Sequence, residues 1–81
     1  MTTFYYEAPQ AHAVYLMGDF NHWNPTSHPM RRRADGSWVV AVPLDCGSHY
    51  YKFLVDGESV LDPHAMYVSK EGQRVSFVAV D

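Results

Sequence analysis

The sequence has 81 residues, of which 47% are hydrophobic and 15% aromatic, with a formal charge of −3 and a pI near 5.9. That length bounds it to one small domain, residues 1–81, and the apolar content suffices to close a core and excludes disorder. The acidic balance argues against a nucleic-acid partner, the single Cys46 excludes an internal disulfide, and no apolar run reaches the ~18 residues of a membrane span.

Met1-Thr2-Thr3-Phe4 carries neither a basic nor an apolar leader region, so no signal peptide and a cytoplasmic location are expected. Helical signals are nearly absent, and strand-like runs recur with turn chemistry between them. Thr2 to Glu7 is a first strand, ended by Ala8-Pro9-Gln10. His12 to Met17 is a second, with Val14 and Leu16 on one face and Tyr15 and Met17 on the other. Met30 to Arg33 and Ser37 to Val42 flank Ala34-Asp35-Gly36, a hairpin signal. Arg31-Arg32-Arg33 reads as a charged edge strand that discourages sheet-to-sheet pairing. Trp38, Val40 and Val42 share one face, which assigns Trp38 to packing.

Pro43 to Gly47 turns the chain into Ser48 to Val55, the expected central strand. Tyr51, Phe53 and Val55 point inward there, and Tyr50, Lys52 and Leu54 outward. Asp56-Gly57 leads into a short Glu58 to Leu61 strand, and Asp62-Pro63-His64 breaks the chain again. After the Lys70 to Gln73 turn, Arg74 to Val80 closes the sheet, with Ser76, Val78 and Val80 on one face and Val75, Phe77 and Ala79 on the other. The expectation is an all-β antiparallel sandwich of about seven strands.

The stretch Gly18-Asp19-Phe20-Asn21-His22-Trp23-Asn24-Pro25 interrupts this pattern. Gly18 can take a positive φ, and Asp19, Asn21 and Asn24 can bond local backbone, so it reads as a built loop. No strand periodicity carries Trp23 inward. A large aromatic offered from a loop on a β scaffold is a contact surface for something flat.

Three ordered strings carry a resemblance: Val14-x-Leu16-x-Gly18-Asp19-Phe20-Asn21-x-Trp23, then Gly36-x-Trp38, then Gly47-x-x-Tyr50-Tyr51-Lys52-Phe53-x-Val55-Asp56-Gly57 with Asp62-Pro63. Together they resemble the glycogen-binding domain of the AMP-activated protein kinase β subunit, carbohydrate-binding module family 48. This is the immunoglobulin-like, early-set module also found ahead of the catalytic barrel in branching enzymes, isoamylases and pullulanases. The resemblance implies a non-catalytic module that binds α-glucan, whether glycogen, starch or maltooligosaccharide. Trp23 matches the stacking tryptophan of the first loop, and Lys52 matches the lysine that bonds sugar hydroxyls. Asn21, His22, Leu54 and Tyr67 are the candidate secondary contacts. Ser59 stands where the family places a second stacking tryptophan, and Val75 stands where an asparagine completes the site. One aromatic face is worth roughly 1.5–3 kcal/mol, and losing about 2 kcal/mol weakens binding about thirtyfold. Weak glucan binding is therefore expected. The alternative is a module that docks on a protein, such as a glucan-processing enzyme or a kinase complex, with the sugar site vestigial.

Catalysis has little support. Asp56, Glu58 and Asp62 could supply a carboxyl pair, but Asp56 and Asp62 precede Gly57 and Pro63, which are turn positions. His12, His22, His28, His49 and His64 are scattered without metal-ligand spacing, so neither a metal nor a cofactor is expected.

Overall fold

The computed structural model describes residues 1–81. It contains eight strands: β1 (Thr2–Glu7), β2 (Val14–Gly18), β3 (Arg31–Arg32), β4 (Ser37–Val42), β5 (Gly47–Val55), β6 (Glu58–Val60), β7 (Tyr67–Lys70) and β8 (Gln73–Val80). All pairings are antiparallel. One sheet runs β1-β4-β3; the other runs β2-β5-β8-β7, with β6 also on β5. The result is an all-β sandwich, as the strand spacing implies.

β5 is the central strand. Residues 51–55 pair with β2 along one edge. Along the other edge residues 47–51 pair with β8 and residues 53–55 with β6. Period-two alternation then divides its side chains. Tyr51 and Phe53 are buried, and Phe53 lies directly opposite the fully buried Leu16 of β2. Phe4, Trp38 and Val42 meet them from the facing sheet, with Val14 and Met30 completing the apolar cluster. Phe4 and Tyr51 pack edge to face at 4.8 Å. Trp38 is buried, and its indole N–H donates to the Ala8 carbonyl at 2.9 Å, so the packing assignment holds.

Beyond shifts of one residue at the ends of β3, β5, β6 and β8, the structure differs from the sequence reading at three places. β2 starts at Val14 rather than His12, because the His12 and Ala13 amides donate to the Asp56 carboxylate at 2.8 and 2.9 Å instead of joining the ladder. These bonds hold the Asp56 carboxyl below its usual range. The strand β7, not assigned from sequence, forms a hairpin with β8, and Glu71 and Gly72 both take positive φ in its two-residue turn. Gly18 has φ −167°, extended backbone, so positive φ is not its function. A Cβ there would lie 2.6 Å from the Tyr50 carbonyl oxygen and 2.4 Å from the Phe20 ring. Close approach, not torsion, calls for glycine.

One polar hub ties the core to the turn after β6. The Tyr51 hydroxyl donates to Asp62 at 2.7 Å, and the Asp62 amide donates to the buried Ser76 hydroxyl at 2.9 Å. Burial first, and then the Asp62 hydrogen bond and charge, push the Tyr51 hydroxyl pKa well above its ordinary value of 10.0. The folded state keeps this proton where the unfolded chain releases it. The contribution is therefore complete below about pH 10 and lost as pH rises further.

Two predictions follow from this packing. Phe53→Ala should destabilise the fold by about 3–5 kcal/mol, because a fully buried ring leaves a cavity the sheets cannot close; urea titration measures it. Stability of the wild type should fall above about pH 10, and Tyr51→Phe should flatten that fall, at a lower starting stability, in melts recorded across alkaline pH.

Candidate functional site

The site is built where β2 leaves its sheet. Asp19–Asn21 form a single 3-10 turn, and the chain then enters the left-handed region at two successive non-glycine residues, His22 (φ 57°) and Trp23 (φ 56°). Each such residue costs about 1–2 kcal/mol. Several hydrogen bonds hold them there. The Trp23 amide donates to the Gly18 carbonyl at 2.8 Å, and the Asn24 amide donates to the Asn21 carbonyl at 3.1 Å. The Asn21 side chain accepts from the Gly18 amide, donates to the Leu16 carbonyl and bonds His28 Nδ1 at 2.8 Å.

The loop is also fixed to β5. Asp19 accepts the Tyr50 amide at 3.1 Å and lies 3.5 Å from His49 Nδ1. The Phe20 ring packs against Phe4 on one side and edge-on to His28 and His49 on others. Asn24 caps its own bend by accepting from the Thr26 amide and hydroxyl.

A concavity of about 500 Å³ opens on the outer face of the five-stranded sheet. Trp23, 38% exposed as a residue, forms its loop wall. Met17, Tyr50 and Lys52 line it from β2 and β5, where Met17 and Lys52 are register partners. Ser59 contributes from β6, and Lys70, Glu71, Gln73 and Val75 from the β7–β8 hairpin. Its walls therefore combine aromatic surface with two ammonium groups, two carboxylates and a carboxamide. Such walls offer a ligand aromatic surface together with several hydrogen-bond donors and acceptors.

Of the residues singled out from sequence, Trp23, Lys52 and Ser59 come together here. Val75, which stands where an asparagine was expected, also lines the concavity and is nearly inaccessible. Leu54 lies on the same face, opposite Ser59 in register, but outside the lining. His22 is exposed in the loop and does not line it either. The Asn21 side chain is committed to the three bonds that shape the loop. Tyr67 is paired with Ser76, itself paired with Tyr51, so it follows the core-side alternation, and Arg74 stacks over its ring at 5.2 Å. It stands on the other face of the sheet from Trp23.

The residues that sequence reasoning did not place in the site are Met17, Asp19, Tyr50 and the tip of the β7–β8 hairpin. Outward alternation on β2 and β5 was the available signal for Met17 and Tyr50. Lys70, Glu71 and Gln73 had none, since β7 itself was not assigned.

Asp56 and Asp62, the carboxylates weighed as a catalytic pair, serve other sites. Asp56 binds the His12 and Ala13 amides, and Asp62 binds Tyr51 and the His64 amide. No three His, Cys, Asp or Glu side chains converge as a metal-binding group.

Similar proteins are glucan branching enzymes. A 1,4-α-glucan branching enzyme GlgB of Rhodopseudomonas palustris (strain BisB5) is 39% identical over 72 residues, which is 89% of this chain and 9% of that protein. The corresponding enzyme of Bacillus caldolyticus is 37% identical over 83 residues, 95% of this chain and 12% of its own length. That of Novosphingobium aromaticivorans is 46% identical over 67 residues, 73% of this chain and 9% of its own. The chain thus spans about a tenth of the length of these relatives. Across residues 1–81 it matches, and belongs to, the family described as the glycogen recognition site of AMP-activated protein kinase.

Proposed function

We propose that the protein is a non-catalytic α-glucan-binding module, with Trp23 stacking on a glucose ring and Lys52 bonding sugar hydroxyls. The observation that carries this reading is the meeting of an exposed indole, on a hydrogen-bonded loop, and an outward lysine in one concavity. A pyranose presents an apolar C–H face and a rim of hydroxyls, and this pairing of groups complements both. Ser59 exposes a hydroxyl where a second tryptophan would add a face, so binding at a single site is weak. Asp19 is occupied by the Tyr50 amide and His49, which supports recognition over acid–base chemistry.

One observation favours the docking alternative. Val75 places a buried apolar group where an asparagine would reach a sugar hydroxyl. An apolar floor of this kind also suits a protein side chain.

Two experiments address these readings. Trp23→Ala should lose retention on amylose resin and weaken maltoheptaose binding by about thirtyfold, the equivalent of about 2 kcal/mol, while far-ultraviolet dichroism stays unchanged; equal binding of variant and wild type would remove the site from this loop. Ser59→Trp should tighten maltoheptaose binding by about tenfold, with stability altered by no more than about 0.5 kcal/mol at this exposed position. Calorimetry that finds no gain with the fold intact favours the docking module.

A further inference from the structure

The concavity holds an aromatic ring to which neither the resemblance nor the proposed function gives a role. Tyr50 precedes Lys52 by two residues on β5, so both point to the same face, about 6.8 Å apart along the strand. Its amide donates to Asp19, and its carbonyl oxygen lies against Gly18, whose own carbonyl accepts the Trp23 amide. Trp23 and Tyr50 are therefore positioned by one piece of backbone.

The Tyr50 ring is only partly buried, and it lines the same wall as Trp23 and Lys52. The Lys70 ammonium sits 4.1 Å from its ring centroid. Lys70 is the last residue of β7, is exposed, and makes no salt bridge. The face of an aromatic ring is its electron-rich side, and it attracts an ammonium or the polarised C–H groups of a sugar alike. A flexible lysine stem can leave that face, and the ammonium can then donate to hydroxyls at the edge of the incoming ring.

We propose that Tyr50 supplies the second stacking face of the glucan site, and that Lys70 covers this face in the free protein and yields it to the sugar on binding. The inference rests on the glucan reading and deepens it. The second aromatic surface comes from the central strand rather than from position 59, and it is gated by one side chain. A glucan that engages both Trp23 and Tyr50 stays within the concavity that Lys52 also lines.

Calorimetry with maltoheptaose on the wild type, Trp23→Ala, Tyr50→Ala and Tyr50→Phe tests this, together with NMR of the Lys70 ε-methylene protons. Tyr50→Ala should weaken binding by at least about tenfold, whereas Tyr50→Phe should stay within about threefold of the wild type, because the ring face and not the hydroxyl makes the contact. The Lys70 ε protons, shielded by the Tyr50 ring in the free protein, should move toward the positions of an unstacked lysine as the sugar saturates. Wild-type affinity in Tyr50→Ala alongside loss in Trp23→Ala overturns this inference and leaves the glucan reading standing. So do Lys70 ε protons that stay shielded at saturation. A wild type that fails to bind overturns the glucan reading, and this inference with it. Should Tyr50→Ala fail to fold, the Lys70 resonances of the wild type and Tyr50→Phe decide the matter.

Discussion

Successive side chains of β5 point to opposite faces, so one nine-residue strand supplies both the core and the binding wall. Tyr51 and Phe53 face the opposing sheet, and Tyr50 and Lys52 face the concavity. A slip of one residue in its pairing with β2 would exchange the two sets, burying an ammonium and exposing a phenyl ring. The cost of burying an unpaired charge is several times the gain from any surface contact, so the register is held strongly. The site inherits that precision. Tyr50 and Lys52 cannot move relative to the sandwich without disturbing Tyr51 and Phe53 between and beside them.

The loop carrying Trp23 gains its rigidity in a different way. Two consecutive left-handed residues are an unfavourable conformation for side chains with a Cβ. The local sequence offsets it by placing a glycine where the chain passes the Tyr50 carbonyl and an asparagine whose carboxamide serves three partners. Phe20 inserts its ring beside Phe4, so the base of the loop belongs to the core while its tip stays open. The indole is exposed on a loop whose backbone is held by hydrogen bonds. A loop backbone ordered before binding lowers the ordering cost for a ligand that contacts it.

The fold was legible in the sequence wherever alternation and turn chemistry agreed. Thr2–Glu7 and Ser37–Val42 appear with the bounds read from sequence, and the inward and outward sets on β2 and β5 follow the alternation, whereas on β8 the neighbours Val75 and Ser76 are both buried. β7 was not legible. Its four residues offer only Tyr67 and Val68 as strand formers, and Glu-Gly is a weaker hairpin signal than Asp-Gly. Asp56 shows a second kind of limit. A residue that looks like a turn former also reaches across 44 positions to His12, and nothing local announces that bond. In the site, the resemblance identified Trp23 and Lys52, and the geometry brings them together. The contribution of the β7–β8 hairpin depended on a strand that had not been seen. Asn21 and Tyr67 read as polar and aromatic groups available to a ligand. One turned out to be engaged in loop construction and the other to face away, which depends on pairing and not on residue type.

The concavity of about 500 Å³ is open to solvent on the outer face of the five-stranded sheet. The proposed glucan reading therefore leaves room for a ligand longer than the site itself. A long, repetitive chain changes the balance, because each dissociation leaves a neighbouring unit of the same polymer at high local concentration. On the proposed reading, the indole would meet a ring's apolar face and the lysine the hydroxyls on its rim. A shallow site set on the outside of a rigid sandwich also lets the polymer pass across it rather than end within it. On the proposed reading, contacts repeated along the polymer would hold a polysaccharide across this open site.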